Sequence, residues 1–510
     1  MDKKKLVWPI IAGIIFAITV FATAGFLMKV TGLDMLPMKY MGLAVLAVGF
    51  LLLVIFACFF IMQSKMKDVV KKVVRGMGIL LAISLVCVDV VGIQMVNKFE
   101  ETMEELNDNN QDEEVKVEEF VIGVYVPVED KAASLEDAKR YDFGYSLAYD
   151  RNNTQKAIAV MENELDRNLK LEEYDDIFEM VDKVLANEKD AFILSVEYMD
   201  IIEEQEGYAD IHDKVKCIHE CVVTTETQVV EKEETPLDVT KDPFVVYISG
   251  HDTDRITKRS NSDVNILAII HPGTKQILLL NTPRDFYIPI SVSPDGALDK
   301  LTQCGVYGVE CSMESLADYY DVDVSYYAQL NFMGFQRLVD AMGGITVYSE
   351  KEFYSTNEGI YFQKGANEVD GEKALAFVRE RKKFGSGDHA RGRHQMAVIK
   401  GMIQKMSSGA LLTNYGQILD SMGGYFRTNV SQEELAAVVK MQLSDMAEWN
   451  IQTYAVSGVG TNDYCYSRPN KKSYVMIPDE ATVAHARTLI QMVMEGENIT
   501  AEDLVVPKAE

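Results

Sequence analysis

The sequence predicts an α/β protein carried on three transmembrane helices, and three observations lead there. Leu6 to Met28 and Tyr40 to Ser64 contain no charged residue, and Gly76 to Asn97 contains only Asp89. Each run is long enough to cross ~30 Å of hydrocarbon as a helix. From residue 120 onward, short β-branched apolar runs alternate with segments of helical spacing, the pattern of strands interleaved with helices. The chain has 510 residues, which leaves room for two domains beyond the membrane portion.

The third run decides where everything after it lies. A central Asp costs about 2.5–3.5 kcal/mol on insertion scales, which the surrounding Ile, Leu and Val offset. Asp89 is expected to face the other helices. Lys3, Lys4 and Lys5 precede the first run, and Lys65, Lys67, Lys71, Lys72 and Arg75 fall between the second and third. The loop between the first two holds only Lys29 and Lys39, set against Asp34. Basic loops stay in the cytoplasm, so the N-terminus is expected inside and the chain after about residue 98 outside. The expectation is a multi-pass cell-membrane protein with extracytoplasmic C-terminal domains.

Charge divides at the same place. Residues 1–98 hold 11 Lys/Arg and 4 Asp/Glu, a balance of +7; with −28 for the whole chain, the rest carries −35. So acidic a surface repels phosphate backbones and argues against a nucleic-acid partner. It also makes any local basic cluster informative. Of seven cysteines, Cys58 and Cys87 lie in apolar runs. The Cys217/Cys221 and Cys304/Cys311 pairs suit disulfides in an oxidising compartment, and without histidines at ligand spacing they do not read as zinc sites.

The expected divisions are a membrane domain at 1–98, an acidic solvated linker at 99–119, a small extracytoplasmic α/β accessory domain at 120–235, a larger domain at 244–495 and a tail at 496–510. In the accessory domain Phe120–Val126 and Ala191–Val196 read as strands, and Thr154–Leu169 and Tyr174–Leu185 as helices. Polar Val229–Asp242, with Pro236, reads as the linker between the domains.

The larger domain opens on a strand, Phe244–Ser249, followed by a hairpin of Val264–Ile270 and Gln276–Leu280 around the turn His271-Pro272-Gly273-Thr274. Charged residues gather at the strand ends: Asp252, Arg259, Asp263, Arg284 and Asp285. Strand ends in α/β sheets are where ligands bind. A second group is Arg379-Glu380-Arg381 and Asp388…Arg391-Gly392-Arg393-His394-Gln395. On a strand, Arg379 and Arg381 would share one face. Arg391 and Gln395 would share a face at the start of a helix over Gln395–Met406. Guanidinium forks match phosphate oxygens two at a time, and Asp252 with Asp263 suits a hard divalent ion that binds through few carboxylates plus phosphate. Taken alone, such runs are more often a solvated face with surface ion pairs.

Seven motifs in order tip the balance: Ser262-Asp263-Val264-Asn265, Pro283-Arg284-Asp285, Asp299-Lys300-Leu301-Thr302, Asn331-Phe332, Val339-Asp340-Ala341-Met342-Gly343-Gly344-Ile345, Gly371…Ala374-Leu375-Ala376-Phe377-Val378-Arg379-Glu380-Arg381, and Gly387-Asp388…Arg391…Gln395. The series resembles the LytR-CpsA-Psr (LCP) family from about 244 to 407, and more weakly to about 495. The resemblance implies an extracytoplasmic α/β/α domain with a mixed central sheet. It implies an enzyme, a phosphotransferase or glycopolymer–peptidoglycan ligase. Its partners would be a polyprenyl-pyrophosphate-linked glycan, peptidoglycan and the membrane, with Mg²⁺ (or Mn²⁺) as cofactor.

Position by position, Asp252 and Asp263 resemble the metal-associated aspartates. Catalytic roles fall to Asp263, Arg284, Asp285, Arg379 and Arg381, and pyrophosphate binding to Lys300, Arg391 and Gln395. Two positions depart from the family pattern: Asn261 and His394 stand where arginine is frequent. Nearby Arg259 and Arg393 are counted with the pyrophosphate-binding residues and would compensate, or else the site would be weaker or differently selective. A lipid-pyrophosphate sensor and a polyprenyl-pyrophosphate hydrolase are the alternative readings of the same residues.

Overall fold

The computed structural model describes residues 3–62, 67–106, 115–147, 150–203, 207–208, 210–228, 237–251, 261–293, 296–384, 388–410, 414, 417–418, 421–423 and 425–506.

The three apolar runs are helices: α1 (Lys3–Gly32), α2 (Met38–Phe56, continued by a π-helical turn at Ala57–Ile61) and α3 (Asp68–Leu106). All three are long and apolar enough to cross a membrane, and their apolar side chains are largely exposed, as a lipid-facing surface requires. Asp89 is buried on α3 and accepts a hydrogen bond from Thr23 of α1 at 2.6 Å, so its polar cost is met between helices. At the far end of the same pair, Lys29 meets Glu100 at 2.7 Å.

With 39 residues, α3 is about 58 Å long at ~1.5 Å per residue, well beyond the ~30 Å hydrocarbon core. The helix therefore extends past the core at one end or both. The expected solvated spacer at 99–119 is corrected accordingly. The helix runs to Leu106, and β1 begins at Val115. On this last stretch of the helix Phe99 and Met103 are buried and Glu101 is exposed.

The accessory domain has a five-stranded sheet in the order β3-β2-β4-β1-β5. Its strands are β1 (Val115–Pro127), β2 (Asp142–Tyr145), β3 (Lys170–Glu173), β4 (Ala191–Ser195) and β5 (Val215–Gln228). Alternation along the strands sends side chains to opposite faces. Ile122, Val124 and Ile193 pack with Ala157 and Met161 of α4 (Arg151–Glu164). Tyr125, Phe192 and Leu194 pack with α5 (Ile177–Leu185) and α6 (Val196–Glu203), a layer that includes Ile211 of α7 (Ile211–Lys214). The helix expected to reach Leu169 stops at Glu164; Asp166 turns the chain with φ 47°, and strand β3 follows.

In the larger domain a six-stranded sheet runs β16-β11-β6-β7-β8-β17. Its strands are β6 (Phe244–His251), β7 (Val264–His271), β8 (Gln276–Asn281), β11 (Tyr326–Asn331), β16 (Phe426–Thr428) and β17 (Asn450–Ala455). Pairs β6–β11 and β8–β17 are parallel, and β6–β7, β7–β8 and β11–β16 antiparallel, so the sheet is mixed. Short ladders join β9 (Tyr287–Pro289) to β10 (Leu298–Lys300), β12 (Ile345–Ser349) to β15 (Gly365–Val369), β13 (Phe353–Tyr354) to β14 (Tyr361–Phe362), and β18 (Gly458–Cys465) to β19 (Arg468–Pro478).

Alternation again builds three layers. Val245, Tyr247, Leu267, Ile269, Leu278 and Leu280 face α8 (Leu301–Tyr307), α9 (Val309–Tyr320) and the late helix Glu480–Met494. Ile266, Ala268, Ile277 and Leu279 face α12 (Asp388–Lys405) through Met396. On that second side, α10 (Phe332–Ala341), α11 (Gly371–Arg379) and α12 close a separate core around Val339, Phe353, Phe377 and Val398. Helix α13 (Gln432–Asp445) and the late helix, α14 (Glu480–Met494), complete the domain. All seven cysteines are free thiols. Of the linker expected at 229–242, residues 229–236 lie outside the described residues, and Val239 packs with Phe244 and Tyr326.

Candidate active site: an arginine-lined cavity with an apolar tail

A cavity of about 560 Å³ lies between the second face of the large sheet and helices α10, α11 and α12, within the ~300–1,000 Å³ usual for small-molecule sites. Ile248, Val264, Ala328 and Leu330 form its floor, and α12 forms one wall. The α12 positions that line it are Arg391, Gln395, Val398, Ile399, Met402 and Ile403, with Met406 one step beyond. That spacing is a single helix face. Along it the chemistry changes from guanidinium and amide to wholly apolar over 15 residues, about 22 Å at ~1.5 Å per residue. Gly392 lets the charged end sit close to the sheet, because a Cβ there would stand 2.3 Å from Asn281 Oδ1.

Arg379 and Arg381 reach the same end of the cavity from α11. They do not lie on a strand, as the spacing had suggested. Asp370 caps α11 by accepting from the Lys373 N–H at 2.9 Å, and the helix ends at Arg379 because Glu380 is extended, with ψ 123°. Glu380 points inward and is buried, accepting from the Thr356 N–H at 2.6 Å, the Thr356 hydroxyl at 3.0 Å and the Lys383 N–H at 3.0 Å. Burial works against its charge, but those donors outweigh it and hold the carboxyl below the usual range. With Glu380 anchored inward, its two neighbours point outward together, and the Arg379 guanidinium also lies 5.2 Å from the centre of the Phe332 ring.

The opposite wall comes from the strand ends. Asp263 is fixed where its N–H donates to the Gly250 carbonyl at 3.0 Å, and its carboxylate pairs with Arg284. Arg284 also approaches Asp285 at 3.8 Å, and Asp285 approaches Lys300 at 3.9 Å. Asp263 and Arg284 line the cavity, while Asp285 and Lys300 stand behind them as a relay of alternating charge. Asp299 beside Lys300 is fully buried and accepts from the Ser467 N–H at 2.6 Å; burial pushes its carboxyl up.

Beneath Asp263 lies a buried polar network of which the sequence motifs include only Ser262 and Asn265. Tyr247 donates to Asn265 at 2.7 Å, Ser249 meets Ser262 at 2.8 Å and His251 at 3.1 Å, and His251 meets the Asn261 carbonyl at 2.9 Å. For Tyr247, Ser249 and His251 the available signal was their polar groups interrupting the apolar strand β6. Burial pushes His251 below its ordinary pKa, so the ring holds this turn as a neutral hydrogen-bonding group.

Six of the residues singled out in the sequence therefore line one cavity: Asp263, Arg284, Arg379, Arg381, Arg391 and Gln395. Asp252 and Arg259 lie outside the described residues. Arg393 is turned away from the cavity and pairs with Glu350 at 2.7 Å, so it is not placed to stand in for an arginine at 394. His394 also points away. It is buried among Phe353, Phe377 and Phe384, with ring centroids 4.4–5.9 Å distant, and hydrogen-bonds the Glu380 backbone. Burial lowers its pKa to about 4.

Four guanidinium groups and one carboxylate line the cavity, in a chain region that is otherwise strongly acidic. No group of three or more His, Cys, Asp or Glu suited to a metal occurs among the described residues. A lone cavity-facing carboxylate, Asp263, does fit the way Mg²⁺ binds through one or two carboxylates plus substrate phosphates.

One cavity of this α/β/α domain thus joins an arginine-lined end to an apolar end. Residues 208–483 match the LytR_cpsA_psr family, and the chain belongs to that family. Among its relatives is the polyisoprenyl-teichoic acid–peptidoglycan teichoic acid transferase TagU of Halalkalibacterium halodurans. It is 29% identical over 254 residues, covering 49% of this chain and 79% of the relative. The transferase of the same name from Oceanobacillus iheyensis is 30% identical over 237 residues, covering 45% and 72%. The crystal structure of Bacillus subtilis TagU is 26% identical, with a TM-score of 0.40, covering 51% of this chain and all of that one.

Proposed function

We propose that this protein transfers a glycopolymer, together with a phosphate, from a polyprenyl-pyrophosphate carrier to peptidoglycan on the outer side of the cell membrane. The observation that carries the reading is the polarity of the cavity. Arg284, Arg379, Arg381 and Arg391 surround one end, and the other is lined by Val398, Ile399, Met402, Ile403 and Met406. A pyrophosphate on a hydrocarbon tail has that same division. Relatives that carry the name of a polyisoprenyl-teichoic acid–peptidoglycan transferase support the same choice.

In this reading the four arginines hold the pyrophosphate oxygens and stabilise charge as it shifts to the leaving lipid phosphate. The N-terminus of α12 adds its positive dipole end at Arg391. A wall sugar hydroxyl attacks the glycan-side phosphorus. A new P–O bond forms, the anhydride P–O bond breaks, and the lipid monophosphate departs with the electron pair. The hydroxyl proton passes to a carboxylate. Asp263 is the one that faces the cavity, so it orients the attacking hydroxyl, while Asp285, held by Arg284 and Lys300, positions Arg284. Mg²⁺ held by Asp263, with Asp252, would supply further neutralisation of phosphate charge. His394 and Glu380 act through the turn that aims Arg379 and Arg381.

The test is to incubate the purified full chain in vesicles with Mg²⁺, a lipid-linked glycan and peptidoglycan fragments. Covalent glycan on peptidoglycan is the expected product. Release of soluble glycan phosphate alone would make the protein a hydrolase, and binding with no product would make it a sensor.

A further inference from the structure

The apolar end of the cavity shares a wall with the membrane helices. Met422 and Phe426, which line it there, also pack against a second cluster whose buried members are Phe99 and Met103 of α3. Leu33 and Met35, from the turn between α1 and α2, and Leu435 of α13 join the same cluster. A polar contact secures this junction: Lys440 of α13 pairs with Asp34 at 2.6 Å. Lys39, at the start of α2, donates to the Ser444 carbonyl. Every membrane-helix residue in these contacts lies at the same end of the helix bundle, the end where α1 leaves, α2 enters and α3 emerges. Phe99 and Met103 are four apart, one above the other on one helix face, near the C-terminal end of α3.

The cavity thus begins at the arginines and ends at Met422 and Phe426, the residues that pack against Phe99 and Met103 of α3. Its apolar wall on α12, from Val398 to Met406, is about 12 Å long at ~1.5 Å per residue and its volume is about 560 Å³, which a long polyprenyl chain outgrows. We infer that the cavity opens onto the outer leaflet at the Phe99–Met103–Met35 junction. The carrier would then be held with its pyrophosphate among the arginines and its tail running past this junction into the bilayer. The substrate would be loaded sideways from the membrane and would never be fully withdrawn from it. The inference rests on the proposed pyrophosphate reading and adds to it a path and an entry point.

Photo-crosslinking separates the two ideas. The full chain is placed in phosphatidylglycerol vesicles with benzoylphenylalanine at one position: Phe99→benzoylphenylalanine, Met35→benzoylphenylalanine, or, within the cavity, Ile399→benzoylphenylalanine. Met28→benzoylphenylalanine, at a lipid-facing position that is 69% exposed, reports chance encounters in the bilayer. The probes are radiolabelled long-chain polyprenyl pyrophosphate and radiolabelled geranyl pyrophosphate. The long chain is expected to label positions 399, 99 and 35, and excess unlabelled geranyl pyrophosphate to abolish that labelling while leaving position 28 unchanged. Geranyl pyrophosphate itself should label only 399. Long-chain labelling at 399 with none at 99 or 35, or labelling there that geranyl pyrophosphate cannot displace, overturns the membrane entrance and leaves the pyrophosphate site intact. Failure of both probes to label 399 overturns the pyrophosphate reading itself.

Discussion

His394 offers a prediction whose size follows from its surroundings. The ring is enclosed by three phenylalanines and hydrogen-bonds the Glu380 backbone, and burial lowers its pKa from an ordinary 6.5 to about 4. Glu350 and Glu380 pull the value up and Arg393 pushes it down, but burial is the largest influence. A group whose folded pKa is depressed contributes stability that is complete above its unfolded pKa. That stability drains away as the pH falls toward the folded value. The window is therefore pH 6.5 down to 4. Between about pH 7 and about pH 5 the folded state should lose about 2 kcal/mol through this one ring, at ~1.4 kcal/mol per pKa unit. The affected structure is the Arg379–Arg381 turn and the first turns of α12. Hydrogen exchange on the full chain in detergent, corrected for intrinsic rates, should show amide protection there falling about 25-fold across that interval. In His394→Phe, which keeps an aromatic ring in the cage, the fall should disappear. Equal protection at both pH values in the native chain, or an undiminished fall in His394→Phe, would refute the reasoning.

Four further outcomes are expected. Arg381→Ala removes an exposed guanidinium from the cavity; losing charge-assisted hydrogen bonds of about 1.5–3 kcal/mol should weaken polyprenyl-pyrophosphate binding roughly 10- to 100-fold with the thermal midpoint unchanged. Met402→Glu puts a carboxylate in the apolar wall. Long-chain carrier binding measured by calorimetry should weaken by about 2 kcal/mol or more, while inorganic pyrophosphate binds as before. Gly371→Ala drives a Cβ to 2.3 Å from the Gln336 carbonyl oxygen, and overpacking α10 against α11 should cost about 1–3 kcal/mol in thermal unfolding. Asp263→Asn should flatten the dependence of glycan transfer on Mg²⁺ concentration, with the full chain still binding peptidoglycan.

The parts of this protein that the sequence made legible are those governed by local pattern. Two runs without charge and a third with only Asp89 became α1, α2 and α3, and alternating apolar residues around His271–Thr274 became the β7–β8 hairpin. Arg391 and Gln395 fall on one face of α12 as their spacing requires. What escaped depends on contacts made across the chain. Arg379 and Arg381 read as a strand because their alternation is real, yet it arises at a helix end and is enforced by Thr356 and Lys383 gripping Glu380. His394 reads as a replaced arginine of the phosphate site because it stands directly before Gln395. Only packing reveals that Phe353, 41 positions earlier in the chain, stacks on it at 5.9 Å. Glu100 and its acidic neighbours read as a spacer because charge dominates composition, whereas Phe99 and Met103 keep that segment helical and buried against Met422 and Phe426.

The most direct test follows the phosphorus. A polyprenyl-pyrophosphate-linked glycan carrying ³²P only at the glycan-side phosphorus is given to the full chain in vesicles with Mg²⁺ and peptidoglycan. If the cavity performs the proposed transfer, the label becomes covalently bound to a peptidoglycan sugar and the lipid leaves as an unlabelled monophosphate. Label that stays on the lipid, or that appears only in soluble glycan phosphate, would contradict the account.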